Sequence, residues 1–133
     1  MPRVSAAFFA TGTLCVLIGM AWGMYMGSNE DFTLAQAHAH LNLVGWVTMA
    51  LYGIFYALTR GTLSLGLAWT HYLVSTVGVA LMIVGLTLFL AHGNDKTYLP
   101  IMIPGEALST LGMLIFAVSV FRELVRRRSA SAT

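Results

Sequence analysis

The chain has 133 residues, of which 58% are hydrophobic and only 9% are charged, and its formal net charge is +2. Soluble globular domains carry about a quarter charged residues, so this composition excludes an ordinary soluble domain and indicates an integral membrane protein. The small basic excess fits membrane topology or an anionic lipid surface, and we predict no nucleic-acid partner.

Four long apolar segments follow one another along the chain. The first three have acidic or basic residues only at their ends, and the fourth is broken only by Glu106 near its start. A segment needs about 20 mostly apolar residues to cross a bilayer, and all four are long enough. We predict a single domain over residues 1–133, with a disordered tail over 129–133 and transmembrane helices near 5–27, 35–59, 64–91 and 99–122.

The charges are distributed unevenly between the two sides that alternating helices would create. One side would carry only Lys96 as a basic residue, together with Glu30, Asp31 and Asp95. The other side would carry all six arginines: Arg3, Arg60, Arg122, Arg126, Arg127 and Arg128. Because basic residues accumulate on the cytoplasmic side, we predict an all-α, four-helix transmembrane bundle with both termini in the cytoplasm.

Small and polar residues predict which helix faces are buried, since helices in lipid associate through close packing of small side chains. In helix 1 these residues are Gly12, Cys15, Gly19, Gly23 and Gly27. In helix 3 the stripe is His71, Ser75, Gly78, Met82, Gly85, Phe89 and His92. In helix 4 it is Glu106, Ser109, Thr110, Met113 and Ala117. We expect a compact bundle, or an oligomer packed through these stripes.

Helix 2 begins with AQAHAHLNLVGWV, residues 35–47, which places two histidines in an apolar run. Residues two apart on an α-helix point about 200° away from each other, so His38 and His40 cannot share a face. His38 aligns with the small and polar side, which holds Asn42, Gly45, Met49, Tyr52, Gly53 and Tyr56. His40 aligns with the aliphatic side, which holds Val44, Val47, Leu51 and Ile54. Packing therefore predicts His38 inside the bundle and His40 towards lipid, another subunit or a flat apolar cofactor.

The predicted topology places four ionisable residues within one to two helical turns of the outer boundary. They are His38, His40, His92 and Glu106. His71 falls near the cytoplasmic side, roughly 30 Å from His92 along helix 3. Ionisable groups within spanning segments usually face protein, water or a ligand. Two imidazoles could bind a haem iron, His38 with His92 and Glu106 could bind zinc, and methionines with histidine could bind copper. Plainer alternatives are interfacial histidines and a Glu106 that complements the dipole of helix 4.

The stretch HAHLNLVGW, residues 38–46, resembles the second helix of subunit I of the haem-copper oxidases, particularly the cbb3-type oxidase and nitric oxide reductase branch. The resemblance implies that His40 is an axial ligand of haem b near the outer surface, with Asn42, Val44 and Trp46 beside the cofactor. GMLIFAVSVFREL in helix 4 is similar to the closing stretch of a helix from the same superfamily.

The chain departs from that family in having only four predicted helices and no His-His pair for copper. We therefore expect a miniature haem-binding relative, active in electron transfer or gas sensing, with no independent enzymatic activity. We expect His92 to be the second axial ligand, and the alternatives are His38 of a neighbour and an open sixth position. We expect a homo-oligomer or a larger respiratory complex, with a quinol or periplasmic redox partner. The alternatives are a non-catalytic scaffold subunit and a membrane protein that binds metal through His, Met and Glu.

Overall fold

The protein is an all-helical bundle of four long helices in a computed structural model, which describes residues 1–62 and 64–130 and the side chains as far as Arg126. The helices are α1 (Arg3–Asn29), α2 (Ala35–Leu58), α3 (Leu65–Ala91) and α4 (Leu99–Ala130). Each is long and apolar enough to cross a membrane. The predicted helix positions are confirmed to within a few residues, except that α4 continues past residue 122. Residues 131–133 of the predicted disordered tail lie outside the described part of the chain.

The connections define two ends of the bundle. The proximal end holds the start of α1, the end of α4 and the connection from α2 to α3, and the distal end holds the connections over 30–34 and 92–98. The helix contacts follow an antiparallel order, since α1 meets α2 with Gly12 beside Trp46, Gly19 beside Asn42 and Gly23 beside His38. The distal end carries His38, His40 and His92, and the proximal end carries His71.

Glycines allow the helices to approach each other closely. A Cβ added at Gly85 of α3 would lie 2.5 Å from the backbone nitrogen of Met102, and one at Gly78 would lie 2.6 Å from that of Ser109. Gly105 and Gly112 of α4 fit in the same way against Met82 and Ser75. The glycines are seven residues apart on both helices, so they form one continuous seam that joins α3 to α4.

The inward stripe predicted for α4 is wrong in part. Glu106, Thr110 and Met113 are exposed, whereas Gly105, Gly112 and Ser119 are buried and face the neighbouring helices. The face of α4 that packs against α3 is the one on which the two backbones can approach most closely. Glycine permits a closer approach than the larger polar side chains on which the prediction relied.

A hydrophobic core cluster of buried side chains lies towards the proximal end. It consists of Val4, Phe8, Met49, Tyr52, Tyr56, Ala68 and Val79, contributed by α1, α2 and α3. Ser5 of α1 donates a hydrogen bond of 2.6 Å to the carbonyl of Gly53 in α2. The proximal half is therefore held by both aromatic packing and buried hydrogen bonds.

Candidate functional site

His38 packs inside the bundle, as its position on the small and polar side of α2 predicted. Its ring is half-buried and would come within 3.0 Å of a Cβ at Gly23, so the glycine lets the ring pack closely against α1. The Trp22 ring stands edge-on with its centroid 6.4 Å away. Asn42 donates to the His38 carbonyl at 2.9 Å, and its amide lies 3.4 Å from the imidazole nitrogens. These contacts give His38 a packing role between α1 and α2.

His40 lies on the opposite side of α2 and is half-buried. Its Nδ1 lies 2.8 Å from the carbonyl oxygen of Gln36, one turn earlier. A carbonyl oxygen can only accept, so Nδ1 carries the proton and donates it. In the neutral ring Nε2 is then left with a free lone pair. This hydrogen bond fixes the tautomer and the orientation that a metal-ligating histidine requires.

The helix surface next to His40 is aliphatic and uncovered. The exposed fractions are 61% for Leu43, 43% for Val47, 54% for Leu51 and 44% for Ile54. The predicted aliphatic face is therefore confirmed for Val47, Leu51 and Ile54. Val44 is instead half-buried and packs against the proximal core.

The helical hydrogen bonding changes immediately after His40. Residues Leu41–Thr48 form a π-helix between the α-helical stretches Ala35–His40 and Met49–Leu58. The Thr48 hydroxyl follows the same register and donates to the carbonyl of Leu43, five residues earlier, at 2.9 Å. π-Helical turns are rare and occur frequently at functional sites. The change in backbone geometry therefore falls within the HAHLNLVGW stretch, residues 38–46.

Two of the residues expected beside a cofactor face α1. Asn42 occupies the notch at Gly19, where a Cβ would come within 2.5 Å of its side-chain oxygen. Trp46 packs at Gly12, where a Cβ would lie 3.1 Å from the indole. In the single chain these side chains support α2 against α1 from the side away from the aliphatic face.

His92 lies at the C-terminal end of α3, and its predicted place on the inward stripe is wrong. The stripe is buried from His71 to Gly85, but His92 is exposed because α3 ends at Ala91 and its ring extends past the packed part of the bundle. Its Nδ1 lies 2.9 Å from the carbonyl of Leu88, so this ring also has Nε2 free. Tyr98 flanks it with a centroid distance of 4.8 Å.

The connection after His92 is an ordered turn. Gly93 and Asn94 adopt left-handed backbone conformations, with φ of 68° and 66°. The carboxylate of Asp95 accepts hydrogen bonds from the backbone nitrogen of Thr97 at 2.9 Å and from its hydroxyl at 2.7 Å. These bonds, and the neighbouring His92, lower the pKa of Asp95 below its usual value of 3.8. The turn fixes where α4 begins relative to α3.

The helix register places His40 and His92 at different depths. His71 contacts the rings of both Tyr52 and Tyr56, so it is level with residue 54 of α2. His40 lies fourteen residues before residue 54 on α2. Because α3 runs antiparallel to α2, the residue of α3 at the same depth is fourteen residues after His71, namely Gly85. His92 is seven residues further, and at about 1.5 Å per residue it lies roughly 10 Å closer to the distal surface.

Glu106 does not join the histidines in one site. Its neighbour Gly105 packs against Met82, which places Glu106 within about one helical turn of the His40 level. Glu106 itself is exposed on the outside of α4. Over the described residues, no three His, Cys, Asp or Glu side chains are close enough to hold a metal ion. The set of His38, His92 and Glu106 is therefore not assembled within one chain.

A cluster of buried polar and aromatic side chains around His71, at the proximal end, was not predicted. His71 is fully buried, and its Nδ1 lies 2.9 Å from the hydroxyl of Tyr56, which is also 3.4 Å from that of Ser119. The rings of Phe8, Tyr52 and Phe116 surround the imidazole at 5.1, 4.3 and 6.1 Å. The sequence did contain a signal for this cluster, because Tyr56 and His71 lie on the inward faces of helices joined by a short connection.

No protein-family model, curated protein or solved structure matches this chain.

Proposed function

We propose that the chain is a small b-type haem protein of the bacterial inner membrane and that His40 is an axial ligand of the iron. The observation that carries the proposal is the His40 ring itself. Its Nδ1–H is bound to the Gln36 carbonyl, and this leaves Nε2 free at the edge of an exposed aliphatic helix face. The likeness of HAHLNLVGW to the haem-ligating helix of the haem-copper oxidases supports the same residue.

The surroundings of His40 suit a haem. A porphyrin is flat and largely apolar, and the face formed by Leu43, Val47 and Leu51 offers it an apolar helix surface. The haem would supply one-electron or gas-binding chemistry, and the chain would set its axial ligand, burial and orientation. His38 is a poor alternative in the same chain, since its ring is packed between Gly23, Trp22 and Asn42.

The sixth coordination position is best served from outside the chain. A second histidine that held the same haem would have to lie at a depth similar to that of His40. His92 is roughly 10 Å nearer the distal surface than His40. We therefore place either a histidine of a second copy or a diatomic gas at this position. The first arrangement suits electron transfer with a quinol or periplasmic partner, and the second suits gas sensing.

The charge distribution supports an orientation with the distal end outside. Arg3, Arg60, Arg122 and Arg126 are all exposed at the proximal end. The positive-inside rule then assigns the proximal end and both termini to the cytoplasm. His40 would lie towards the periplasmic side, within reach of a quinol at the membrane surface or of a periplasmic protein.

The test is a reduced-minus-oxidised visible spectrum with pyridine haemochrome quantification, recorded on protein purified in detergent from cells supplied with a haem precursor. We expect a b-type spectrum in the wild type that is lost or strongly shifted in His40→Ala and retained in the matched variant His38→Ala. Loss in His38→Ala with retention in His40→Ala would overturn the ligand assignment. Absence of haem from the wild type would overturn the proposed function and favour a scaffold subunit.

Carbon monoxide distinguishes the two forms of the proposal. A reduced protein that binds carbon monoxide at once has an open sixth position and fits gas sensing. A protein whose spectrum is unchanged by carbon monoxide has two protein ligands and fits electron transfer. In the latter case His92→Ala should leave the spectrum intact, since His92 is too far towards the distal surface.

A further inference from the structure

The proximal end contains a cavity whose wall includes Tyr56, the hydrogen-bond partner of His71. The cavity has a volume of about 90 Å³, and its walls include Thr62, Glu123, Arg122 and Arg126, together with Tyr56 and Ser119. It is large enough for water and is lined by the polar groups that water requires. The hydroxyl of Thr62 donates to the Glu123 carboxylate at 2.7 Å, which joins the connection over residues 59–64 to α4.

Tyr56 stands between this cavity and His71. It lines the cavity, yet it is only 2% exposed, and its hydroxyl is within hydrogen-bonding distance of both Ser119 and the Nδ1 of His71. A hydroxyl can accept and donate at the same time, so Tyr56 can receive a proton from the cavity side and release one towards the ring. Tyr56 therefore links the cavity wall directly to the Nδ1 of His71 inside the bundle, and the Ser119 hydroxyl beside it donates to the carbonyl of Ile115 at 2.9 Å.

On the side of His71 away from Tyr56, two buried polar atoms lack hydrogen-bond partners. Nε2 of His71 and the hydroxyl of Ser75, one turn further along the same face of α3, are both buried without a hydrogen-bond partner. The backbone of Gly112 is the other polar group near the imidazole. Buried polar groups without partners are rare, and in membrane proteins ionisable groups within a span often mark the path of a proton.

The groups in direct contact with His71 are uncharged, and most of them are aromatic rings. The α1 and α4 helices contribute the rings of Phe8 and Phe116, and α2 contributes those of Tyr52 and Tyr56. Aromatic faces attract cations. The charged groups lie on the cavity wall beyond Tyr56 and Ser119, where the Glu123 carboxylate accompanies Arg122 and Arg126.

We propose that His71 is a proton-binding site that exchanges protons with water at the proximal end through the hydroxyl of Tyr56. A hydronium ion in the cavity gives a proton to the oxygen of Tyr56 while the hydroxyl proton of Tyr56 moves to Nδ1 of His71. Water remains in the cavity, Tyr56 is restored and His71 becomes an imidazolium. The reverse sequence returns the proton. This site is fourteen residues along α3 from the level of His40, so it does not depend on the proposed haem.

The test measures deuterium exchange at the imidazole nitrogens of the full chain in lipid nanodiscs, by NMR with ring-labelled histidine. His71→Gln assigns the His71 signal. Tyr56→Phe removes the connecting hydroxyl. Tyr52→Phe is the matched control, because its ring also contacts His71 while its hydroxyl is directed to the sulfur of Met113 at 3.7 Å.

We expect His71 to exchange readily in the wild type and in Tyr52→Phe. In Tyr56→Phe it should exchange about tenfold more slowly, because the hydroxyl that passes the proton is gone and the barrier to transfer rises by about the free energy of one hydrogen bond. The exchange of His38, His40 and His92 should be the same in all three proteins, which shows that the variants are folded. Equal exchange at His71 in the two tyrosine variants would overturn the proposal, and so would a His71 that does not exchange in the wild type.

Discussion

The two ends of the bundle use the same residue type in opposite ways. At the distal end, His40 is half-exposed on an aliphatic face, with Nδ1 bound to a carbonyl of its own helix and Nε2 free. At the proximal end, His71 is fully buried among aromatic rings, with Nδ1 at the hydroxyl of another helix. The first arrangement leaves a nitrogen accessible to a large ligand, and the second leaves room only for a proton.

The comparison shows that the role of a histidine in a membrane helix depends on which group its Nδ1 contacts. A bond to a carbonyl one turn earlier is local, so it orients the ring without tying the helix to a neighbour. A bond to a tyrosine on another helix makes the imidazole part of the packing. The two ends should therefore respond very differently to loss of the ring.

The largest expected effect is on stability at the proximal end. His71→Ala should destabilise the haem-free protein by about 3 kcal/mol or more, since it removes a fully buried ring of aromatic size and leaves a cavity. His40→Ala should change the free energy of unfolding by no more than about 0.5 kcal/mol, as exposed substitutions usually do. Unfolding of both variants in detergent, followed by circular dichroism, measures the difference. Equal losses of stability would mean that the two histidines have similar structural roles.

A smaller effect on stability is expected at the contact between α1 and α2 near the distal end. Gly19→Ala should destabilise by about 1–3 kcal/mol, because its Cβ would collide with the Asn42 side chain and the packed helices must shift. Gly27 belongs to the same glycine series, but a Cβ there meets nothing within 4 Å. Gly27→Ala should therefore stabilise the protein slightly, by about 0.5 kcal/mol, through the reduced freedom of the unfolded chain. The same unfolding assay tests the pair, and a tolerated Gly19→Ala would contradict the packing of Asn42 against α1.

The smallest effect concerns the turn beside His92. The hydrogen bonds from Thr97 lower the pKa of Asp95, so the stabilisation of the turn is fully present above the unfolded value of 3.8. It is lost as the pH falls through the lower pKa of the folded protein. The NMR signal of the Thr97 amide, followed during acidification, should therefore shift only below about pH 3.8. An Asp95→Asn variant should not show this transition, and a transition above that pH would contradict the hydrogen-bonding assignment.

Much of the fold follows from the sequence because lipid imposes simple rules on it. Long apolar segments predicted all four helices, and the alternation of small and aliphatic residues predicted that His38 lies inside the bundle and that Val47, Leu51 and Ile54 face outwards. The face of α4 was harder to predict, since Glu106 and Gly105 are adjacent and polarity gave the wrong one. Close contact with Met82 selects the glycine.

The candidate sites divide in the same way. His40 could be found from a local motif, and its hydrogen bond to Gln36 is local as well. The position of His92 depends on where α3 ends relative to its neighbours, and residue spacing along one helix does not contain that information. The contact of His71 with Tyr56 and Ser119 joins three helices, and it depends on their register and rotation.

The most direct test of the difference between the two ends is the ring-nitrogen NMR spectrum of the histidines, recorded on haem-free protein before and after haemin is added. We predict that the paramagnetic iron removes or strongly shifts the Nε2 signal of His40, while the His71 signal keeps its position. A shifted His71 with an unaffected His40 would contradict the proposed roles of the two ends. A spectrum in which haemin changes no histidine would contradict the distal haem site itself.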